Sequence, residues 1–472
     1  MKNNIFALIT ISAFIFSSCK KNTDITSTNG GDLSTTKKIT YFSFDSLKNS
    51  TVIVQNVVGN IVGDSIIVNM EQGTPVTNLT PTISFEGASV SPSENIAQNF
   101  SNNIPYTVKA KDGSTKTYFV KINFTKANDK VFIGSDDGNL YCLNARTGAL
   151  YWKYTSNSSI QSSPTVVNGI VYFGSSNKKI YALDATTGTL KWQFTTNSSL
   201  SGNSPTVSNG VLYMSGAGGE VLALDAVTGT LQWTRNFPGP PSPTVYGGKL
   251  YVGTLGSGTY VLDKYTGNTI ANLFTGITRN NPLAYNGKIY ITSETGFKCF
   301  DTTNFQTLWL YYGLGNPCSP TVNNNTLFAG VSETVAGATQ AHFYMVSVNP
   351  TAGAVNWRQW GSQYNNGIFN TPTVEDGKLF TTSLGILYAL NTTDGSIAWK
   401  ILPTIPSNGY TNATVANGTL ICGNNDNFVY AFDANTGIVK WKFLTSGAVS
   451  SGPCLTDYNG NVFHNAASGS GN

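Results

Sequence analysis

Charge is scarce in this 472-residue chain: Asp, Glu, Lys and Arg together make up 11%, with 28 basic against 24 acidic residues and a net charge of +4. No basic run exceeds three residues, so the clustered cations that nucleic-acid binding needs are missing. Only two histidines occur, His342 and His464, too few to expect a His-based zinc site or a catalytic triad. The six cysteines include no adjacent pair and no Cys-x-x-Cys, which removes the usual metal spacings. After residue 16 no segment is long and apolar enough to span a bilayer as a helix. Residues 130 to 465 show no helical periodicity, and this excludes helical solenoids.

What the chain has instead is a phrase repeated eight times. Its last residue is Trp152, Trp192, Trp233, Ala271, Trp309, Trp357, Trp399 and Trp441, in steps of 40, 41, 38, 38, 48, 42 and 42. Four residues earlier stands Gly148, Gly188, Gly229, Gly267, Gly353, Gly395 or Gly437, with Phe305 the single departure. Trp360 is the one tryptophan outside the column. Self-similarity at this period marks a repeat architecture.

Each copy holds four short β-type runs, as in Pro164–Val167, Ile170–Phe173, Ile180–Leu183 and Leu190–Phe194. Asn168-Gly169 separates the first two and recurs as Asn209-Gly210, Asn286-Gly287 and Asn417-Gly418, the dipeptide that tolerates the positive φ angles of a type I′ hairpin. Asp184 and Gly188 make the third turn, Asp by bonding following amides and Gly by going left-handed. The expected unit is a four-stranded antiparallel meander, and eight of them stack into a ring. The first copy starts at Val131, lacking an inner strand, and the segment from Gly452 to Gly460 reads as that strand. The expected fold is therefore all-β, an eight-bladed propeller closed by the C-terminal strand.

The stretch before the ring is different. Met1 to Asn4, an apolar run from Ile5 to Phe16 and the small residues Ser17-Ser18 before Cys19 describe an export signal over residues 1–18. Small residues directly before Cys resemble a bacterial lipoprotein signal, which implies lipid attachment at Cys19. Diacyl modification gives two-chain, stable anchorage. Residues 19–38 are polar and without aromatics, a flexible tether. Residues 39–126 alternate as strands at Tyr41–Phe44, Ser65–Val68, Thr82–Phe85 and a hairpin turning at Asp112-Gly113, and read as a small Ig-like β-sandwich. The run Gly87–Pro92 followed by that hairpin resembles Ig-like modules of Bacteroidetes-type surface lipoproteins. The propeller takes residues 127–472.

The phrase Ala-x-Asp-x-x-Thr-Gly-x-x-x-Trp, whole at Ala182–Trp192, Ala223–Trp233 and Ala431–Trp441, resembles that of the PQQ-like β-propeller family. The resemblance implies that each Trp docks one blade on the next, a packing role that suits its large apolar area. Some of that family are quinoprotein dehydrogenases holding PQQ and calcium, with an Asp base and adjacent cysteines. Here no cysteines adjoin, and Asp184, Asp225, Asp263 and Asp433 fall in the tight third turn. The expectation is no enzyme, no catalytic residue, no metal and no cofactor, with a PQQ- and calcium-dependent dehydrogenase as the alternative. A lipoprotein signal before an eight-bladed PQQ-like propeller is similar to the propeller lipoproteins of outer-membrane barrel assembly, which implies a monomeric binding scaffold in a Gram-negative outer membrane. The extra module at residues 39–126 departs from that pattern and keeps open a third reading, surface glycan or peptide capture. Lys20 and Lys21 after Cys19 offer no acidic retention signal.

Cys142 and Cys299 stand at the repeat's Ala position and are expected to be small buried side chains, with free thiols expected also at Cys318, Cys422 and Cys454. First and third turns are short and stereotyped; second turns and blade-to-blade loops vary, and variable loops on a rigid scaffold carry function. The 48-residue step places Glu333, Gln340 and His342 in a long second turn of blade six. Blade-to-blade loops add Arg279, Asn280, Tyr364, Asn365 and Tyr410, a set of exposed aromatic, amide and cationic groups suited to recognising a protein or glycan.

Overall fold

The computed structural model describes residues 34–464 apart from 50–51, 54–55, 72–73, 126–128, 257, 313–317, 335–340, 363–369, 404–408 and 457–461. The chain divides into two compact units, one taking residues 1–70 and 74–123, the other 71–73 and 124–472.

The first unit holds a three-stranded sheet ordered 57–58, 38–44, 81–86 and a five-stranded sheet ordered 60–62, 65–71, 115–125, 104–109, 89–91. Ile66, Val68 and Met70 alternate inward from one strand, meeting Phe42 and Phe44 from the other sheet. Edge-to-face contacts tie this core together, with ring centroids 5.8 Å apart for Phe42 and Tyr106 and 4.9 Å for Phe44 and Phe100. Aromatic quadrupoles favour that geometry over face-to-face stacking.

The second unit is built of eight antiparallel sheets. Blade 2 is ordered 165–167, 170–175, 179–184, 190–195, and blades 3 to 8 repeat the order. The second and third strands of a blade are buried almost throughout, whereas the fourth alternates, because neighbouring blades cover both faces of the middle strands and leave the outer strand half in water. At the first turn Asn168 and Gly169 take φ of 50° and 73°, both positive as a type I′ turn requires. Blade 1 is assembled from both ends: Cys454, Leu455 and Thr456 pair with Phe132, Val131 and Lys130. Residues 462–464 then add a fifth strand on the inner edge of 454–456, beside the inner strands of blades 2 and 8. The four-strand repeat gives no signal for this extra strand.

Around the axis, hydroxyl-to-carbonyl bonds join successive blades at four of the seams. The Thr165, Thr206, Thr244 and Thr414 hydroxyls donate to the carbonyls of Pro205, Pro243, Pro282 and Pro453 at 2.6–2.8 Å. On the outside each tryptophan seats on the turn glycine of the next blade. Trp441 of blade 8 meets Gly148 of blade 1, closing the ring, and Trp152, Trp192, Trp233, Trp309, Trp357 and Trp399 meet Gly188, Gly229, Gly267, Gly353, Gly395 and Gly437. A Cβ on any of these glycines would lie 2.5–2.9 Å from the indole, and their φ values of 68–75° are left-handed, so glycine is required twice over. The indole N–H of every seated Trp except Trp152 donates to a backbone carbonyl of the next blade, as Trp192 does to Ala226 and Trp441 to Ala145, at 2.7–3.2 Å. The buried Trp152 N–H makes no bond.

The seam between blades 4 and 5 breaks both halves of the rule. Ala271 stands where the Trp belongs and Phe305 where the Gly belongs, and both pack in one core group with Tyr251, Val261 and Leu273. Phe305 holds the glycine's conformation at φ 62° and places a ring where its neighbour lacks one. Tyr251, whose counterparts Tyr172, Tyr213 and Tyr290 donate across their seams, is left with an unpaired buried hydroxyl.

Candidate functional site

The turn acids are structural. Asp225 Oδ1 accepts the amides of Val227 and Thr228 and the Thr228 hydroxyl at 2.8–3.0 Å, and Asp184, Asp263 and Asp433 repeat the pattern. These bonds, the Thr228 amide foremost, hold the Asp225 carboxyl below its usual range. The third turn lies beside the first, joined by Ala185 N–H to Gly169 O at 2.9 Å. On the opposite end, Thr196 N–H to Lys178 O at 2.8 Å joins the blade-to-blade loop to the second turn. The variable loops therefore share one face.

On that face Arg279 is exposed and pairs with Glu294 of the blade 5 second turn at 3.4 Å, with Asn280 following it in the same loop. Tyr410 departs from expectation: it is buried, 8% exposed, edge-on to Tyr430 and Phe432 at 5.7 and 5.8 Å. Apolar neighbours from blades 7 and 8 draw its ring inward, and that burial pushes the phenol up to about 12. Blade 6 departs too. Part of its extra length extends the paired strands 326–334 and 341–348, so Glu333 and His342 are cross-strand partners rather than turn residues. Cross-strand pairing satisfies the added backbone groups, which a long bare turn would leave to water. Gln340, Tyr364, Asn365 and Cys19 lie outside the described residues. The five cysteines of the propeller are free and buried; burial pushes Cys142 and Cys318 up to about 12.

Two features of the face were not singled out from sequence. The first is a column three residues after the docking position, where the outer strand reaches the loop face: Thr155, Thr195, Asn236, Phe274, Tyr312, Trp360, Leu402 and Leu444. Blades 1 to 3 put polar residues there and blades 4 to 8 large apolar ones, with Phe274 80%, Tyr312 79%, Leu402 61% and Leu444 62% exposed. Reading down that column would have found it, since it also absorbs the one stray tryptophan. The second is a cavity of about 320 Å³ where the loops preceding the inner strands converge, lined by Gln161, Asn370, Tyr410, Asn412, Asn425 and Ser450 among others. Beside it Asp136 accepts from the Ser159 hydroxyl, from Gln161 Nε2 at 3.0 Å and from the Ser450 hydroxyl at 2.9 Å.

This donor set does not suit calcium and PQQ. Calcium takes six to eight oxygens led by carboxylates, and the described residues of the cavity wall offer amides and hydroxyls but no acid. Among the described residues no cluster of three His, Cys, Asp or Glu could hold a metal.

Residues 121–236, 194–341 and 341–464 match the family of the outer membrane protein assembly factor BamB. Residues 40–122 match the SGBP N-terminal family. No curated protein matches significantly. Among solved structures, BamB from Moraxella catarrhalis aligns with 18% identity and a TM-score of 0.52, over 66% of this chain and 97% of that one. Dihydro-heme d1 dehydrogenase NirN aligns with 10% identity and a TM-score of 0.55, over 69% of this chain and 74% of that one. AztD from Citrobacter koseri aligns with 12% identity and a TM-score of 0.50, over 70% and 98%. At these identities the likeness establishes the propeller fold and nothing further.

Proposed function

The chain belongs to the family of the outer membrane protein assembly factor BamB, and from that membership we propose a lipid-anchored, non-catalytic binding scaffold of the cell envelope that holds a protein partner on its loop-bearing face. The observation that carries this reading is the one-sided apolar column. A single exposed leucine is ordinary on any surface; the same register exposing Phe274, Tyr312, Leu402 and Leu444 on blades 4, 5, 7 and 8, with polar residues at that register on blades 1 to 3, is a directional surface. Burying four such side chains contributes on the order of 10 kcal/mol. That matches the scale of the roughly 4–15 kcal/mol lost in association. Arg279, exposed on the same face, supplies a polar group at its margin.

The anchor is the lipid on Cys19, and its loss through Cys19→Ala releases the protein from the membrane fraction. The dehydrogenase alternative loses support because the described wall of the cavity offers no carboxylate for calcium and the turn acids spend their oxygens on their own backbone. Photo-crosslinking residues placed at 274, 312, 402 and 444 in the anchored chain test the partner face. Adducts with one protein from these positions, and none from 155, 195 and 236, are the expected result. Equal adducts from both sets, or none from either, refute it.

A further inference from the structure

The cavity at the channel mouth is chemically unlike the rim. Its wall is formed by the residues leading into the inner strands of blades 1, 2, 3, 7 and 8 together with Asn425 of the blade 8 second turn. Among the described residues no Lys, Arg, His, Asp or Glu lines it, and the one described aromatic, Tyr410, is packed against Tyr430 and Phe432. What it presents is a set of side-chain amides and hydroxyls. Asn412 and Asn425 line the cavity and make no side-chain hydrogen bond to another described residue, so their donors and acceptors are available to a ligand. Gln161 spends its Nε2 on Asp136 and keeps its carbonyl oxygen, and Asp136 holds both Gln161 and Ser450 in place. The site is thus preformed rather than assembled on binding.

The ligand class follows from elimination and from matching. An anion needs a cation or a helix N-terminus, and neither is found among the described residues of the wall. A metal needs carboxylates. An apolar molecule needs apolar walls. A peptide bound by strand addition needs a free strand edge, and the described wall is made of loops; the peptide probe below tests the other modes. A sugar hydroxyl both donates and accepts, and vicinal hydroxyls offer the donor and acceptor side by side that an amide offers in return. The volume, about 320 Å³, is at the small end of ligand pockets and accommodates one or two rings.

We propose that the channel mouth is a subsite for a neutral sugar residue, a terminal or short segment of an uncharged glycan, recognised by the amides of Asn412, Asn425 and Gln161. This is independent of the rim: blades 1, 2 and 8 supply most of the mouth, and the rim's leading residues, Phe274 and Tyr312, belong to blades 4 and 5.

The test uses the full-length, detergent-solubilised chain and an array of neutral oligosaccharides (glucan, mannan, galactan and xylan oligomers), with polygalacturonate and heparin fragments as acidic probes and casein peptides as a peptide probe. Calorimetry then measures any ligand found. At least one neutral oligosaccharide binds, Asn412→Leu with Asn425→Leu weakens it tenfold or more at unchanged melting temperature, and Phe274→Ser with Tyr312→Ser leaves it unchanged. Because Asn425 is exposed, Asn425→Ala alone keeps the test open if the double variant does not fold, with a loss of threefold or more expected. No binding to any neutral oligosaccharide, preference for the acidic or peptide probes, or wild-type affinity in the Asn variants overturns the assignment.

Discussion

Exchanging the residues of the odd seam tests the docking rule directly. Ala271→Trp alone forces an indole into space that the Phe305 ring fills, and overpacking of this kind costs about 1–3 kcal/mol. Phe305→Gly alone relieves a left-handed backbone worth roughly 1–2 kcal/mol. It also vacates a half-buried ring, which at half the core truncation cost loses about 1.5–2.5 kcal/mol. Together the two changes restore the arrangement of the other seven seams, and the new indole N–H reaches the Thr302 carbonyl, the counterpart of Ala226, for about 1 kcal/mol more. The double variant should therefore be at least as stable as the natural chain, with a coupling energy of about 2–3 kcal/mol. Urea unfolding followed by far-UV circular dichroism on all four proteins measures it. Additive losses, with the double variant the least stable, would show that Ala271 and Phe305 do not compensate one another.

Acid stability and thiol chemistry follow from the same geometry. The bonds that depress the Asp225 and Asp263 carboxyls favour the ionised native form, so their contribution is present above the unfolded pKa of about 3.9 and lost as pH falls through the lower native values. Asn144 and Asn349 make the same turn without a charge, so Asp225→Asn with Asp263→Asn flattens the fall of melting temperature between pH 5 and 3; an unchanged slope sinks this account. The buried thiols Cys142, Cys299, Cys318, Cys422 and Cys454 stay protonated. None should react rapidly with a thiol reagent at pH 8 in the folded propeller and all five should after unfolding, whereas one fast thiol in the native state contradicts the packing.

Much of the ring was legible because its determinants are local. Asn168-Gly169, Asp184 and Gly188 are turn chemistry read within five residues, and a fixed step of about 40 residues multiplies one hairpin pattern into a propeller. The same locality hid the rest. The exceptions Ala271 and Phe305 stand in the sequence as two unrelated departures, and only the neighbour relation of blades 4 and 5 joins them. Tyr410 sits in a variable loop, yet Phe432 and Tyr430 from the following blade bury it. Glu333 and His342 read as loop residues because strand length depends on pairing across the hairpin.

By itself, then, the sequence determined the repeat, the turns, the Trp and Gly columns and the closure of blade 1, all encoded in short segments whose conformation or register recurs. Tertiary structure decided what the ring presents. The amide-lined mouth arises from residues tens to hundreds of positions apart, brought together only when eight blades close around one axis, and that closure also seats the fifth strand at 462–464 beside blades 2 and 8.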